Sequence, residues 1–514
     1  MNLRTLRRTM AFAALLGIAV SAHADWNQAN DEANRQRMMA DMRASAAASD
    51  RANQASQQRF NDNAARSLGE RSAGSSSGGS ATPSRAGAGF AGSGSSASSG
   101  PQSVVRSYTF TIHRQETPAA LAARLERDAA AGDSVSAFNL GRVYYTGFND
   151  VPRDDGAARR WFGKAAEMGH AGAQSQFAYM LHDGVGGPVD VATGVAWARK
   201  AAEQGDPYGK ALYGYYRIAG IPDGATVDLA PEVALLIDAA DHGQLLAQAT
   251  LGTVVYALGH GATVDRDKAA HYTRMAAEQG FPLAQALLGR MYIFGNGVPR
   301  DDALAVSWLR KAMAQRDVSA IGMLGRMMLE GRGVPRDTEG GGALIKQAAD
   351  AGDMAALGIY GVMLQQGIGV PQDANAGAIA LRRAAESHDG DAEQNYAIAL
   401  FAGQGMAKDE AAGVSWQKRA ADDGNVDALG TYAVRLMTGQ GVAKNSAEGV
   451  RYARLAMAAG SARGTACLAW AYHDGDGVPK DLPRSLALFR QAAAQGDSGA
   501  AEALKMPELV AIAG

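Results

Sequence analysis

Cysteine and aromatic residues are scarce in this sequence, and its net charge is small. Its 514 residues contain one cysteine, Cys467, so no disulfide bond can form within the chain. Aromatic residues make up 7% of the chain while glycine occurs 63 times, so large core side chains are rare. The formal net charge of −2 gives no reason to expect a nucleic acid or an anionic membrane surface as a partner. Stability must therefore come from elements that pack closely together.

The sequence also lacks the motifs that build nucleotide, zinc and calcium sites. No turn supplies the Lys and hydroxyl that end a phosphate-binding loop, and no histidine pair has the H-E-x-x-H spacing. The stretch DGDGVPKD at 474–481 begins like a calcium loop but lacks the bidentate Glu at its twelfth position. Cys467 lies in the apolar stretch CLAWAY, which favours a small buried side chain over a nucleophile. We therefore expect no catalytic residue, no cofactor and no metal site.

The N-terminus has the pattern of a secretory signal peptide. Arg4, Arg7 and Arg8 precede an apolar run over 10–20, which is followed by an A-x-A sequence that ends at Ala24. The apolar run is about half of the ~20 residues that span a bilayer, which argues against stable membrane insertion. The sequence thus predicts a signal peptide over residues 1–24, cleavage near Ala24, and a periplasmic or secreted mature protein.

Two further segments precede the main part of the chain. Residues 25–105 are first polar and Ala-rich and then Gly/Ser-rich, a composition that favours a disordered segment and a flexible linker. Residues 106–133 are expected to form a short strand and an N-terminal capping helix. The alternating stretch VVRSYTFTIHRQ places the strand near 104–113, and Thr117-Pro118 supplies an N-cap followed by a proline at the first helical position.

From residue 134 the chain repeats a glycine turn at a nearly constant interval. The first glycines of these ten turns are Gly147, Gly184, Gly220, Gly259, Gly295, Gly331, Gly367, Gly403, Gly439 and Gly475. The six intervals after Gly259 are 36 residues each. A fixed period of this length is typical of a solenoid, in which each unit contacts mainly its neighbours.

Each repeated unit has the pattern of helix, turn and helix. A small residue such as Gly289 lies six positions before the turn glycine and allows a second helix to approach. Asp301 and its equivalents lie six positions after the glycine and can cap the second helix. A large residue such as Trp308, thirteen positions after the glycine, is expected to fill the core. A further glycine then ends the unit in the left-handed conformation.

This pattern resembles the Sel1-like repeat (SLR) family, whose unit reads A-x-x-x-L-G-x-x-Y-x-x-G-x-G-V-x-x-D, then A-x-x-W and K-A-A-x-x-G. The stretch AQALLGRMYIFGNGVPRDDALAVSWLRKA over 284–312 carries it, and the resemblance covers 134–497. It implies an all-α fold, a right-handed α-solenoid of about ten helix-turn-helix repeats of about 36 residues, related to tetratricopeptide repeats. A C-terminal capping helix and tail would follow over 498–514. The family also implies adaptor or scaffold work between proteins.

Several features depart from the pattern in the middle of the chain. The third unit has a longer turn, with 39 residues between Gly220 and the next turn glycine. Gly340-Gly341-Gly342 weakens the start of a helix, because each Gly costs ~1 kcal/mol relative to Ala. Ala380 replaces the large core residue, and His388 replaces the helix-ending glycine. These features predict a softer region over 340–390.

Helix positions two, five and nine before the turn glycine are predicted to share one face of the stack. Aromatic residues and arginine, which are enriched at binding hot spots, recur at these positions. We therefore predict a partner-binding stripe that consists of Arg142, Tyr145, Tyr179, His182, Tyr215, Arg290, Ile293, Arg326, Phe401, Trp470 and His473. The alternative is that several of these side chains only pack against the neighbouring unit.

Two functions of different kinds fit these features. The first is an exported adaptor or scaffold that binds a protein along the solenoid and has no catalysis of its own. The second is a cell-envelope enzyme or binding protein that acts on peptidoglycan, exopolysaccharide or β-lactams. Family members linked to β-lactams pair two cysteines in each repeat, and the single Cys467 argues against that activity. A third hypothesis assigns the interaction to the polar N-terminal segment and leaves the solenoid passive.

Overall fold

The computed structural model describes residues 117–147, 151–220 and 228–513, and these residues form helices joined by short turns without any β-strand. The predicted all-α solenoid of paired helices is confirmed, whereas its right-handed sense stays a prediction. The chain divides into two compact units that meet in sequence between Gln279 and Gly280. The predicted signal peptide, the 25–105 segment and the strand near 104–113 lie outside the described residues.

The first unit begins with a capping helix, α1 (Pro118–Ala130), followed by four helical hairpins. The predicted N-cap of α1 is present, because Thr117 Oγ1 accepts a hydrogen bond from the N–H of Ala120 at 3.2 Å. A π-helical turn, Leu251–Val255, divides the first helix of the fourth hairpin. The helices pair as α2 (Ser134–Thr146) with α3 (Asp155–Glu167), α4 (Ala171–His182) with α5 (Val191–Glu203), α6 (Pro207–Ala219) with α7 (Ala230–Asp241), and α8 (Leu245–Thr250) and α9 (Tyr256–Leu258) with α10 (Arg266–Glu278).

The second unit contains six further hairpins of the same form. They pair α11 (Pro282–Phe294) with α12 (Asp302–Ala314), α13 (Val318–Glu330) with α14 (Thr338–Asp350), α15 (Met354–Gln366) with α16 (Ala374–Glu386), α17 (Gly390–Ala402) with α18 (Glu410–Asp422), α19 (Val426–Thr438) with α20 (Ser446–Ala458), and α21 (Ala462–Asp474) with α22 (Leu482–Ala494). Two short helices, α23 (Ser498–Ala503) and α24 (Pro507–Ala513), follow the last hairpin. Within each unit, the two helices of every hairpin pack against each other, and the two short C-terminal helices pack on α22.

The hairpin turn explains the recurring glycines. In the turn after α11, Gly295 and Gly297 have φ values of 70° and 68°, a conformation that residues with a Cβ rarely adopt. Val298 packs beneath the turn and is buried. The backbone N–H groups of Asn296 and Asp301 donate to carbonyl oxygens of α11, so these groups are already engaged and do not cradle an anion. The turn therefore reverses the chain between the two helices.

Most of the predicted caps of the second helices are present. The side chain of Asp301 accepts from the N–H of Leu304 at 2.9 Å, which satisfies one free donor at the start of α12. The third hairpin differs, because Leu229 is the N-cap of α7 and Asp228 accepts instead from the first N–H of that helix. Its turn glycine, Gly220, has a φ of −81°, in contrast to the positive φ of turn glycines such as Gly295. The same capping bond as at Asp301 is made by Asp190, Asp265, Asp337, Asp373, Asp409, Asn445 and Asp481.

In the hairpin of Trp308, the core contact between the two helices lies one residue later than predicted, whereas Tyr272, Tyr452 and Leu488 are buried at the predicted position. Leu309, the residue after Trp308, is completely buried, and a Cβ added at Gly289 would lie 2.8 Å from its side chain. Trp308 itself is half-buried, and the ammonium group of Lys311 lies 3.7 Å from the centre of its ring. The prediction at Trp308 was wrong because a helix turns by about 100° per residue, which directs Leu309 rather than Trp308 at the first helix.

The region predicted to be softer, 340–390, is regularly helical apart from its turns. A Cβ on Gly325 would lie 2.9 Å from the carbonyl oxygen of Gly341, so these glycines let two helix backbones meet. His388 adopts the left-handed conformation of the glycine that it replaces, with a φ of 66°. Leu381 is completely buried and supplies the core contact that the preceding alanine lacks. The greater softness of this region stays a prediction, and its glycines have a packing role.

The substitution Gly325→Ala is expected to destabilise the protein although alanine favours a helix. Its Cβ would lie 2.9 Å from the Gly341 carbonyl oxygen and 3.0 Å from the Ile345 side chain, so the two helices would have to move apart. The loss should be about 1–3 kcal/mol, measured by urea unfolding followed by circular dichroism. Gly322→Ala in the same helix is the matched control, since its Cβ would meet only side-chain atoms at 3.4 Å or more. Equal stability of the two variants would contradict the close-approach interpretation.

Candidate binding surfaces

The predicted stripe residues lie on first helices and differ in exposure. In the second unit, the residue five positions before the turn glycine is the one most often exposed to solvent. The residue nine positions before it is buried, as Gly322 and Ala466 are. The accessible part of the stripe is therefore narrower than predicted. The exposed members are Arg290, Arg326 and Trp470, the half-buried members are Arg142, Tyr145, His182, Phe401 and His473, and the buried members are Tyr179, Tyr215 and Ile293.

Position five before the turn glycine forms a repeated surface in the second unit. Position six is Gly or Ala and packs on the second helix, so a rotation of about 100° turns position five outwards. Ile398 exposes 49% of its surface and Trp470 exposes 39%, whereas Val362 and Val434 are half-buried. The surface is basic at its first two members and apolar at the other four. We call it the first-helix row, and its members are Arg290, Arg326, Val362, Ile398, Val434 and Trp470.

The two arginines of the first-helix row have different surroundings. The Nε of Arg326 lies 2.8 Å from the carboxylate of Glu330, one turn later on the same helix. Arg290 is exposed and has no ion pair among the described residues, while partial desolvation by the surrounding protein lowers the pKa of its guanidinium. Arginine stays charged at neutral pH, so Arg290 presents donors that can bind a carboxylate or a peptide carbonyl of a partner.

Trp470 is fixed by aromatic neighbours. Its ring packs edge-on against Phe489 and His473, with centres 5.0 Å and 5.5 Å apart. His473 is itself held by the carboxylates of Asp474 at 2.6 Å and Glu508 at 3.3 Å. A tryptophan that is already ordered loses little conformational entropy when it binds, which is the property of an interface anchor.

In the first unit, two of the positions that correspond to the first-helix row are buried tyrosines. Tyr179 and Tyr215 are buried, and Tyr216 stacks on His182 with ring centres 3.8 Å apart. Burial raises the pKa of the phenols of Tyr179, Tyr208, Tyr215 and Tyr216, so these hydroxyls stay protonated at neutral pH. The Tyr216 hydroxyl has no hydrogen-bond partner among the described residues. Sequence reasoning missed Tyr208 and Tyr216 because they lie outside the stripe positions, and their aromatic character was the only signal.

Several predicted stripe residues also make contacts within the fold. Cation–π pairs of this kind hold a guanidinium against an aromatic face and contribute about 0.5–1 kcal/mol at exposed sites. These contacts support the alternative interpretation that half-buried members of the stripe serve packing. The pairs are Arg142 with Phe138 at 6.0 Å, Arg153 with Tyr145 at 5.4 Å, and Arg435 with Phe401 at 4.2 Å.

One group of side chains in the second unit has the composition of a metal site. Ligand atoms of His388, Glu393 and Asp423 all lie within 4.8 Å of one another. Arg419 already bonds to two of them, with its Nε 2.6 Å from the completely buried Glu393 and its Nη2 2.7 Å from Nδ1 of His388. A cation would have to displace this guanidinium, which pairs with Glu393 and joins helices of neighbouring hairpins. The one feature of the sequence that pointed to this group was His388, which replaces a helix-ending glycine.

Cys467 is buried in α21, as the sequence predicted. Burial raises the pKa of its thiol to about 12. The thiolate, which is the reactive form, is therefore almost absent at neutral pH. Cys467 does not have the surroundings of a nucleophile.

A family model described as Sel1 repeat matches nine stretches, which together cover more than half of the chain. The third of the ten hairpins, α6 with α7, is not matched, and it is the hairpin with the longer turn. The matched stretches are residues 134–170, 171–206, 245–281, 282–317, 318–353, 354–389, 390–425, 428–461 and 465–497.

Two solved structures of similar sequence carry the same repeat. A protective antigen present in uropathogenic Escherichia coli strains, which displays an SLR fold, is 30% identical, with 74% of this chain and 80% of that chain covered and a TM-score of 0.49. A Sel1 repeat protein from Oxalobacter formigenes is 29% identical, with 60% of this chain and 89% of that chain covered and a TM-score of 0.40. No curated protein matches the sequence significantly. Among the described residues, no helix is both long enough and apolar enough to cross a membrane.

The Cys467 thiol should be nearly inert towards thiol reagents in the folded protein. A pKa of about 12 leaves about one thiol in 10⁵ ionised at pH 7, and the buried position blocks access as well. Labelling with iodoacetamide, followed by mass spectrometry, should become fast only after denaturation. Cys467→Ser gives the background signal, and rapid labelling of the native protein would contradict the buried placement.

Proposed function

The chain belongs to the Sel1 repeat family, and we propose that it is an exported adaptor that binds a protein partner along the first-helix row of its second unit. Proteins built from these repeats are generally protein-interaction scaffolds. The observation that carries the proposal is the row itself, in which two exposed arginines are followed on successive first helices by four apolar side chains, the last of which is an exposed tryptophan. Arginine and tryptophan are the side chains most enriched among binding hot spots.

The composition of the first-helix row indicates what kind of partner surface fits it. Val362, Ile398, Val434 and Trp470 offer an apolar surface, which a partner covers with apolar side chains. Arg290 and Arg326 lie at the other end of the row and favour carboxylates there. The expected partner is a polypeptide with an apolar stretch followed or preceded by acidic residues.

Export is part of the proposal and is supported by the N-terminal sequence. Basic residues, an apolar run and the small residues that end at Ala24 have the order of a cleaved signal. A single buried cysteine also suits an oxidising compartment, because it leaves no exposed thiol to form an unwanted disulfide. The partner is therefore sought in the cell envelope or outside the cell.

The alternative function, an envelope enzyme or binding protein for peptidoglycan, exopolysaccharide or β-lactams, has less support. Catalysis would need a reactive side chain, and the buried thiol of Cys467 is a poor candidate. The two functions differ in one simple assay. An adaptor should neither bind nor turn over β-lactams or cell-wall fragments, whereas the alternative requires binding of one of them, and an enzyme requires turnover as well.

Charge reversal of the two arginines in the first-helix row should weaken partner capture. Arg290→Glu removes the arginine that has no ion pair among the described residues, and Arg326→Glu places a carboxylate beside Glu330. In crosslinking pull-downs from the native envelope, the double variant should recover the specific partner at least about tenfold less well, since charged hydrogen bonds contribute about 1.5–3 kcal/mol each. Its circular dichroism spectrum should be unchanged, because both side chains are exposed.

The matched control places the same two changes on second helices. Arg310 is exposed and has no ion pair among the described residues, and Arg382 bonds Glu386 one turn later, at 3.0 Å. The double variant R310E/R382E thus repeats the charge change and the broken pair away from the row. Equal recovery of the partner by wild type and by R290E/R326E would contradict the proposed surface, as would equal losses in both double variants.

A further inference from the structure

We propose that a basic groove at the end of the second unit binds an acidic segment of a polypeptide. The groove runs between α20, the end of α21 and the start of α22. It consists of two adjoining cavities of about 680 and 350 Å³ that share Arg454 and Val478 as lining residues. The groove is a different surface from the first-helix row, so this inference does not depend on the function proposed above.

Tyr472 holds two guanidinium groups at the centre of the groove. The Nη2 of Arg454 donates to the Tyr472 hydroxyl at 3.5 Å, and the guanidinium of Arg484 lies 4.6 Å from the centre of the Tyr472 ring. Tyr472 is buried, whereas both arginines are exposed. One rigid side chain therefore positions two cations on the same surface, and Lys480 in the intervening turn adds a third.

The carboxylates around the groove have other partners. Among the described residues, Arg454, Lys480 and Arg484 take part in no ion pair. Like charges held close together repel one another, and an anion that binds between them relieves this repulsion. The neighbouring acidic groups are used elsewhere: Asp481 caps α22, Glu448 bonds Arg451 at 2.6 Å, Asp476 bonds Lys444 at 2.9 Å, and Glu508 bonds His473 at 3.3 Å.

Comparison between hairpins shows how the positive charge of the groove arises. A basic residue occupies the Arg454 position in most hairpins, and where it is paired, an acidic residue follows four positions later on the same helix. In the hairpin of Arg454, that later position is Ala458, and alanine also occupies it after Arg310 and Arg490, as Ala314 and Ala494. The compensated pairs elsewhere are Arg199 with Glu203, Lys346 with Asp350, Arg382 with Glu386, and Lys418 with Asp422.

Arg484 is a second departure from the repeat. The equivalent positions of preceding hairpins in this unit hold residues without positive charge, such as Leu304, Gly340 and Ala412. Two departures from the repeat in neighbouring hairpins, Ala458 and Arg484, thus produce one basic groove. Ligand pockets in proteins usually have volumes of about 300–1,000 Å³, and both cavities fall in this range.

The apolar side chains between the cations favour a polypeptide over a small anion. Val478 and Leu482 line the groove, and Leu455 at its edge exposes 41% of its surface. A free phosphate would contact the cations and leave these side chains in water. An acidic peptide with aliphatic residues would pair its carboxylates with the cations and also cover the apolar surface.

The test measures binding of a short fluorescein-labelled peptide of repeated Asp-Glu-Leu to the full chain by fluorescence anisotropy. The wild type should bind, and the affinity should fall as salt is added, because exposed charges are screened. R454E/R484E should bind at least about tenfold more weakly, since two charged contacts are reversed. R310E, at the same helix position as Arg454 in another hairpin, should bind like the wild type.

A second variant lowers the positive charge of the groove without removing an arginine. Ala458→Glu introduces the acidic residue that the paired hairpins carry at this position, so the fold tolerates it there. It should weaken peptide binding severalfold while the melting temperature stays unchanged or rises slightly, because an i,i+4 pair stabilises a helix a little.

Three results would overturn the proposal. The first is equal peptide binding by wild type and R454E/R484E when both are folded by circular dichroism. The second is equal binding of the peptide with Asn and Gln in place of Asp and Glu, which would mean that the carboxylates are not recognised. The third is complete displacement of the acidic peptide by inorganic phosphate at the concentration of the peptide, which would assign the groove to a small anion.

Discussion

The hairpins depend on the close approach of two helix backbones at the small residue six positions before the turn glycine. At Gly289 and Gly361, an added Cβ would lie 2.8 Å from the buried leucine of the second helix. Leu309 and Leu381 fill the core at these two contacts, and Phe162 fills it at Gly141 in the first hairpin. This geometry explains how a chain with 7% aromatic residues can form a long array of packed helices without a disulfide.

The same contact determines which side chains remain for binding. Once one side of each first helix packs on its second helix, the next position faces outwards, and repetition of the unit lines up these positions as the first-helix row. The repeat also makes departures informative. Ala458 and Arg484 are ordinary residues by themselves, but in the register of the hairpins they mark a place where positive charge is not compensated. In a solenoid of this kind, residues that depart from the repeat therefore indicate binding sites as much as the repeated positions do.

Local features could be predicted from the sequence, and features that depend on neighbouring hairpins could not. The turn, its glycines and caps such as Asp301 follow from short-range backbone chemistry, and the structure has them. The sequence left open whether Tyr179 binds a partner or packs against the neighbouring hairpin, and only the structure shows that it is buried. The bond between Arg419 and Glu393 likewise joins helices of different hairpins. Trp308 shows how precisely the register must be known, since Trp308 is half-buried whereas the next residue, Leu309, is in the core.

A photocrosslinking scan tests the central claim most directly. A photoreactive amino acid is placed singly at Val362, Ile398 or Val434 of the first-helix row, and at Leu304 or Ile379, which expose 43% and 71% of their surfaces on second helices. Irradiation in the native envelope should join a partner polypeptide to the row positions and leave the second-helix positions without it. Crosslinks at the second-helix positions with none along the row would contradict the claim that the hairpin geometry presents the first helices for binding.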